Sequence, residues 1–184
     1  MDSLYEILNA KPFEILIPFA VFGIVFLLGC LIRRIIFVRL TKWAQKTKTT
    51  VDDVIIDSLK KPFIIWSIML GIYIALESSK VPDGAVHIIN KVLLVLGIFS
   101  VTMVLAQMSS GLIKAYSRRI ESALPVTSLT QNISRIIIFA VGILVILNSL
   151  GIAITPILAT LGVGGLAVAL ALQDTLSNLF SGFH

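Results

Sequence analysis

Long apolar runs separated by short polar segments dominate the pattern of this chain. The runs cover about residues 13–32, 62–76, 88–106, 133–150 and 155–183. A helix that crosses a bilayer needs about 20 predominantly apolar residues, and four of the runs meet that length. Residues 62–76 rise only about 22 Å against a hydrocarbon core of about 30 Å, so this run needs local thinning or snorkelling flanks to span. The pattern predicts an all-α polytopic membrane protein with five transmembrane helices.

The positive residues indicate that the short second run does span. With five spans, the cations of two polar segments fall on the inner side: Arg33, Arg34, Arg39, Lys42, Lys46, Lys48, Lys60 and Lys61, then Lys114, Arg118, Arg119 and Arg135. Only Lys11, Lys80 and Lys91 fall outside, as the positive-inside rule requires. We therefore predict an inner (cytoplasmic) membrane protein with its N-terminus outside and its C-terminus in the cytoplasm.

Cations at the inner ends of the spans are expected to anchor the protein to anionic lipid headgroups. The candidate lipid-facing anchors are Arg33, Arg34, Lys114, Arg118 and Arg119. The formal net charge of +5 is thus a feature of membrane topology, and we expect no nucleic-acid partner.

Composition supports the bilayer assignment and excludes several other classes. The chain of 184 residues is 57% hydrophobic, with a mean hydropathy of +1.01, which is too apolar for a soluble domain of this size. The single cysteine, Cys30, excludes an intrachain disulfide. His87 and His184 have no nucleophile or carboxylate near them in a recognisable motif, so we expect neither an enzyme nor a bound cofactor or metal.

The inner segment between the first two spans contains a helix signal. Thr50 is placed to cap backbone amides, and Asp53 stands where the acid of a capping box would lie. Val54, Ile55 and Leu59 then form an apolar stripe. The segment is either a short amphipathic helix packed on other helices or on the lipid surface, or an element that couples the outer helices to the pore; the residues do not separate these alternatives.

The last apolar run combines small residues with two leucines at helical spacing. Leu166 and Leu170 are four residues apart and share one face. Small residues flank that face and allow helices to approach closely: Ala159, Gly162, Val163, Gly165, Ala167 and Ala169. Several copies packed through these residues would turn both leucines towards a common axis, an arrangement that forms a pore.

The run LGVGGLAVALALQDTLSNLFSGF resembles the pore helix of the small-conductance mechanosensitive channel (MscS-like) family. The resemblance implies a homo-oligomeric, heptameric, weakly selective channel that membrane tension opens, releasing ions and small solutes during hypoosmotic shock. It also implies a lipid-facing paddle of helices and a cytosolic vestibule after the pore helix. We expect the sequence to represent the membrane part, with peripheral and tension-sensing helices in 1–106 and the inner loop, fourth span and pore helix in 107–184.

Within this resemblance, Leu166 and Leu170 are the candidate pore seal, since a ring of leucines excludes water and thereby stops hydrated ions. In an unlabelled span, two leucines at this spacing would instead indicate ordinary packing. Asp174 departs from the family pattern, which has glycine where the pore helix kinks. We therefore expect a bend either at Gln173 and Asp174 or at Gly182, and the first position would place a carboxylate ring near the inner mouth.

A membrane transporter or an accessory subunit is the alternative, with the glycine-rich helix serving only for packing. Ion-coupled transporters usually bury ionisable residues near the midplane. These spans contain none centrally, and the nearest polar residue, Asn148, suits an interhelical hydrogen bond.

Overall fold

The computed structural model describes residues 12–44, 50–79, 81–117 and 124–183. Within these residues the chain is helical, with no strand. The helices are α1 (Pro12–Ala44), α2 (Thr50–Lys60), α3 (Pro62–Glu77), α4 (Asp83–Ser117), α5 (Leu124–Ser149), α6 (Thr155–Ala171) and α7 (Gln173–Phe183). The chain divides into two compact units, Met1–Ile146 and Leu147–His184.

The described helices confirm the predicted class, an all-α polytopic membrane protein. Four helical stretches are long and apolar enough to cross a membrane, and the bent pair formed by α6 and α7 gives up to five. The second predicted span is part of a candidate stretch of 27 residues, Val51–Glu77. All charged residues of that stretch before Glu77 precede Pro62, so its apolar part is residues 62–76, which still needs local thinning or snorkelling flanks to span.

In the first unit, α1 and α3 approach each other closely at small residues. A Cβ added to Gly29 would lie 2.6 Å from Ser67 Oγ, and one added to Gly71 would lie 3.0 Å from a ring carbon of Phe22. The Ser67 hydroxyl donates to the carbonyl of Phe63 at 2.8 Å, so it is satisfied within its own helix. Small side chains therefore set the spacing of these two helices.

A hydrogen bond joins α3 to α4 within the apolar region. Trp66 Nε1 donates to Ser100 Oγ at 3.0 Å, and Ser100 is buried. An indole N–H without a partner would be costly in hydrocarbon, so this bond orients both side chains and fixes the contact between α3 and α4.

Helix α2 packs on its neighbours through Ile56, which was not in the predicted stripe, and through two stripe residues, Val54 and Leu59. Ile56 is buried in a cluster with Phe37 and Ala44 of α1, and Leu59 and Phe63 lie against that cluster. A Cβ added to Gly111 of α4 would collide with the side chain of Val54. Other helices and the lipid surface were both considered as packing partners of this segment, and the structure shows α2 packed on other helices.

Two polar segments that flank the spans are helical. Helix α4 continues beyond its apolar run through Gln107 to Ser117. Ser110 in this part is buried, and its hydroxyl is satisfied within the helix by donating to the carbonyl of Ala106 at 2.9 Å. Pro125 lies in the first turn of α5, where no amide donor is needed.

Candidate pore helix

The turn before α6 is fixed by a glycine. Helix α5 ends at Ser149, and Gly151 follows with φ 84°. The amide of Gly151 donates to the carbonyl of Asn148 at 3.0 Å, and that of Ile152 donates to Leu147 at 3.0 Å. This is a Schellman motif, which satisfies the last carbonyls of α5 and requires the left-handed conformation that glycine adopts freely. Helix α6 then begins at Thr155 with a proline in its first turn.

Among the residues that the structure describes, no side chain of α6 is buried. Leu166 and Leu170 are each 62% exposed. A Cβ added to Gly162, Gly164 or Gly165 would have nothing within 4 Å. The predicted packing residues share this exposure: Ala159, Gly162, Val163, Gly165, Ala167 and Ala169. The close approach for which these small residues leave room is therefore not used within the described part of the second unit.

Helix direction changes at a single residue after the second leucine. Leu172 has φ −94° and ψ 0°, and the axes of α6 and α7 differ by 54°. Gln173 is the first residue of α7 and Asp174 lies in its first turn, whereas Gly182 lies inside α7. A carboxylate in the first turn of a helix is stabilised by the amides there. The break thus lies directly between Leu170 and Asp174.

Polar and small residues connect α4 to α5 in the first unit. Arg135 Nε donates to Ser110 Oγ at 2.6 Å, and the hydroxyls of Ser109 and Ser134 are 2.5 Å apart. At another contact between the same two helices, a Cβ added to Gly142 would collide with the side chain of Thr102. Sequence reasoning did not find these pairs, because their members are isolated polar or glycine residues with no local repeat.

The candidate anchors have different surroundings. Arg34 and Lys114 are exposed. Arg33 is half-buried, and its Nε donates to the carbonyl of Lys60 at 3.1 Å. Arg118 and Arg119 lie outside the described residues. Arg33 therefore has a structural contact in addition to any contact with lipid.

Comparison with known proteins agrees with this architecture. Residues 132–173 match the family model "Mechanosensitive ion channel, transmembrane helices 2/3". The chain is 35% identical to the small-conductance mechanosensitive channel MscMJ of Methanocaldococcus jannaschii, over 88% of this chain and 49% of that protein. It is 30% identical to the large-conductance mechanosensitive channel MscMJLR of the same organism, over 77% of this chain and 41% of the relative.

An MscS family protein of Aquifex aeolicus is 30% identical over 99% of this chain and 52% of its own length. No solved structure matches the chain significantly. The chain spans about half the length of these curated relatives. The family-model match covers most of α5, all of α6 and the start of α7, which together include the glycine turn, both leucines and the break. This multi-pass membrane chain belongs to the small-conductance mechanosensitive channel (MscS-like) family.

Proposed function

We propose that this chain forms the membrane part of a homo-oligomeric, heptameric channel that membrane tension opens to release ions and small solutes during hypoosmotic shock. In this proposal the N-terminus is outside and the C-terminus is in the cytoplasm of the cell membrane. Residues 1–106 act as peripheral and tension-sensing helices, and residues 107–184 connect them to the pore. The relatives named as mechanosensitive channels support the general activity.

The observation that carries the proposal is the uncovered surface of α6. It combines glycines at which an added Cβ would meet no described residue within 4 Å with two leucines that are 62% exposed on one face. Helices in lipid associate through such small residues, which let backbones come close. Further copies of α6 packed on these residues would remove the exposed surface and place Leu166 and Leu170 at the shared axis.

A ring of leucines provides a gate without any charged group. In a narrow apolar neck water is expelled, and a hydrated ion cannot cross the dry segment. Tension favours whichever state occupies more membrane area, so an expanded, wetted pore gains population as tension rises. The helical break at Leu172 follows the seal directly, so it is the position at which α6 can tilt relative to α7.

Solute release under osmotic downshock tests this function. The full-length protein, reconstituted in liposomes loaded with a small self-quenching dye, is expected to release the dye in proportion to the size of the downshock. Liposomes without protein and liposomes kept iso-osmotic are the controls. Release that occurs without a downshock and saturates with dye concentration would instead support the transporter alternative.

Asp174 is expected to favour cations at the inner mouth. It is exposed in the first turn of α7, and a ring of these carboxylates would raise the local cation concentration. Asp174→Asn should lower the ratio of cation to anion permeability by roughly a factor of two or more, measured as a shift of the reversal potential in a salt gradient. Asp53→Asn removes the same charge from α2 and should leave the ratio unchanged. Unchanged selectivity in Asp174→Asn would contradict the assignment.

A further inference from the structure

Pro62 creates a polar notch where α2 meets α3. Proline has no amide hydrogen and interrupts the regular bonding of the helix. Here the amide of Ile64 donates to the carbonyl of Lys61 at 3.2 Å, while the carbonyl of Lys60 accepts Arg33 Nε at 3.1 Å. A cation is favourable at the carbonyl end of a helix, and a charge-assisted bond is stronger than a neutral one. We call the group formed by Arg33, Lys60 and Lys61 the Pro62 notch.

The notch carries excess positive charge. The hydrogen bond brings the Arg33 guanidinium from α1 to the backbone of Lys60, and Lys61 is the next residue. The only ion pair between described residues is there, with Lys60 Nζ 3.4 Å from Asp57 Oδ1, but these side chains are 45% and 76% exposed. An exposed pair of this kind contributes little and is screened by salt. The notch therefore contributes three cations, of which Lys60 alone has an ion pair among the described residues, and that pair is weak.

The notch lies at the end of the apolar part of both helices. Residues 16–32 of α1 contain no charged side chain and end at Arg33, and residues 62–76 of α3 contain none and begin after Lys61. Each stretch rises about 22–26 Å, close to the thickness of the hydrocarbon core. The hydrogen bond between Arg33 and Lys60 holds the inner ends of these two apolar stretches at the same height along the bilayer normal. The end of a stretch that spans the hydrocarbon core lies at the height of the lipid phosphates.

Exposed apolar surface continues from Lys61 towards the bilayer centre, because Ile65 lies one turn above Lys61 and is 49% exposed. A soluble anion would use the cations alone, whereas a lipid also covers the apolar surface beside them. We propose that the Pro62 notch binds the headgroup of an anionic phospholipid, with an acyl chain lying along α3. That this is the cytoplasmic leaflet rests on the proposed function; the binding itself does not.

The test measures lipid retention by the full-length protein in nanodiscs of equal parts phosphatidylglycerol and phosphatidylcholine, followed by native mass spectrometry. The wild-type protein should retain phosphatidylglycerol preferentially. Lys60→Gln with Lys61→Gln should weaken that retention roughly 30-fold, because each cation near an anionic surface contributes to binding. Asp57→Asn removes the competing carboxylate and should strengthen retention roughly 5-fold.

Arg39→Gln with Lys42→Gln is the matched control. This double variant also removes two positive charges, but they lie outside the notch. Both side chains are exposed, and Lys42 lies about 180° round α1 from Arg33. Its retention should equal that of the wild type. An equal loss in both double variants, no preference for phosphatidylglycerol in the wild type, or displacement of the lipid by inorganic phosphate would overturn the proposal. No tension or current is involved, so a failure here is distinct from a failure of the channel function.

Discussion

Replacing Leu166 with serine should open the channel at markedly lower tension than the wild type. Burial of a leucine side chain contributes about 2 kcal/mol. In a homo-oligomer the substitution removes this contribution from every subunit of the ring. The closed state then loses several kcal/mol, which raises open probability more than about 100-fold at a fixed tension below the wild-type threshold. Leu170→Ser should act in the same direction, since Leu170 lies on the same face of α6 and is equally exposed within the chain.

Leu161→Ser is the control for this prediction. Leu161 lies in the same helix and is 56% exposed, but it points about 140° away from Leu166 round the axis. Patch recordings with stepwise suction would give the opening tension of each variant against a reference channel in the same patch. A shift in Leu161→Ser as large as that in Leu166→Ser would show that general loosening of α6, and not a leucine seal, explains the result.

Substitution of Gly142 by alanine should destabilise the contact between α4 and α5. The added Cβ would collide with the Thr102 side chain, which is buried and donates its hydroxyl to the carbonyl of Ile98 at 2.8 Å. Overpacking of this kind costs about 1–3 kcal/mol. For a protein of this size that corresponds to a fall of roughly 3–10 °C in the midpoint of thermal unfolding, measured in detergent.

A second substitution distinguishes the proposed cause from a general effect of the side chain. Thr102→Ala removes the two atoms nearest to the new Cβ and should restore part of the stability of Gly142→Ala, with the Thr102 Cβ position still 2.9 Å away. Gly23→Ala is the control, since a Cβ there meets nothing within 4 Å. Additive effects of Gly142→Ala and Thr102→Ala would rule out the direct contact.

The fold class was predictable because its signals are local. An apolar run bounded by charged residues predicts both a helix and its position along the bilayer normal. The run predicted at 62–76 is the helix Pro62–Glu77, with a proline at one end and an acid at the other. The last run was also predicted as helical, and its small residues and leucines were found because they repeat at spacings of three and four.

Pairings between distant residues were not predictable in the same way. Gly111 and Gly142 are single glycines whose partners, Val54 and Thr102, lie in other helices, and no periodicity marks such a pair. The sequence likewise contains no sign that Arg33 contacts a backbone carbonyl at Lys60, which is available because the amide of Ile64 donates to the carbonyl of Lys61 instead. The position of the bend was narrowed to two candidates, and the break at Leu172 lies next to the first of them.

Single-channel recording from the full-length protein in plain lipid under suction tests most directly whether the chain forms a tension-gated channel with a leucine seal. Stepwise currents are expected only with suction, and at lower suction when Leu166 is replaced by serine. Silence of the wild-type protein and of Leu166→Ser up to the tension at which the membrane ruptures would contradict this expectation, and α6 would then be a packing helix only.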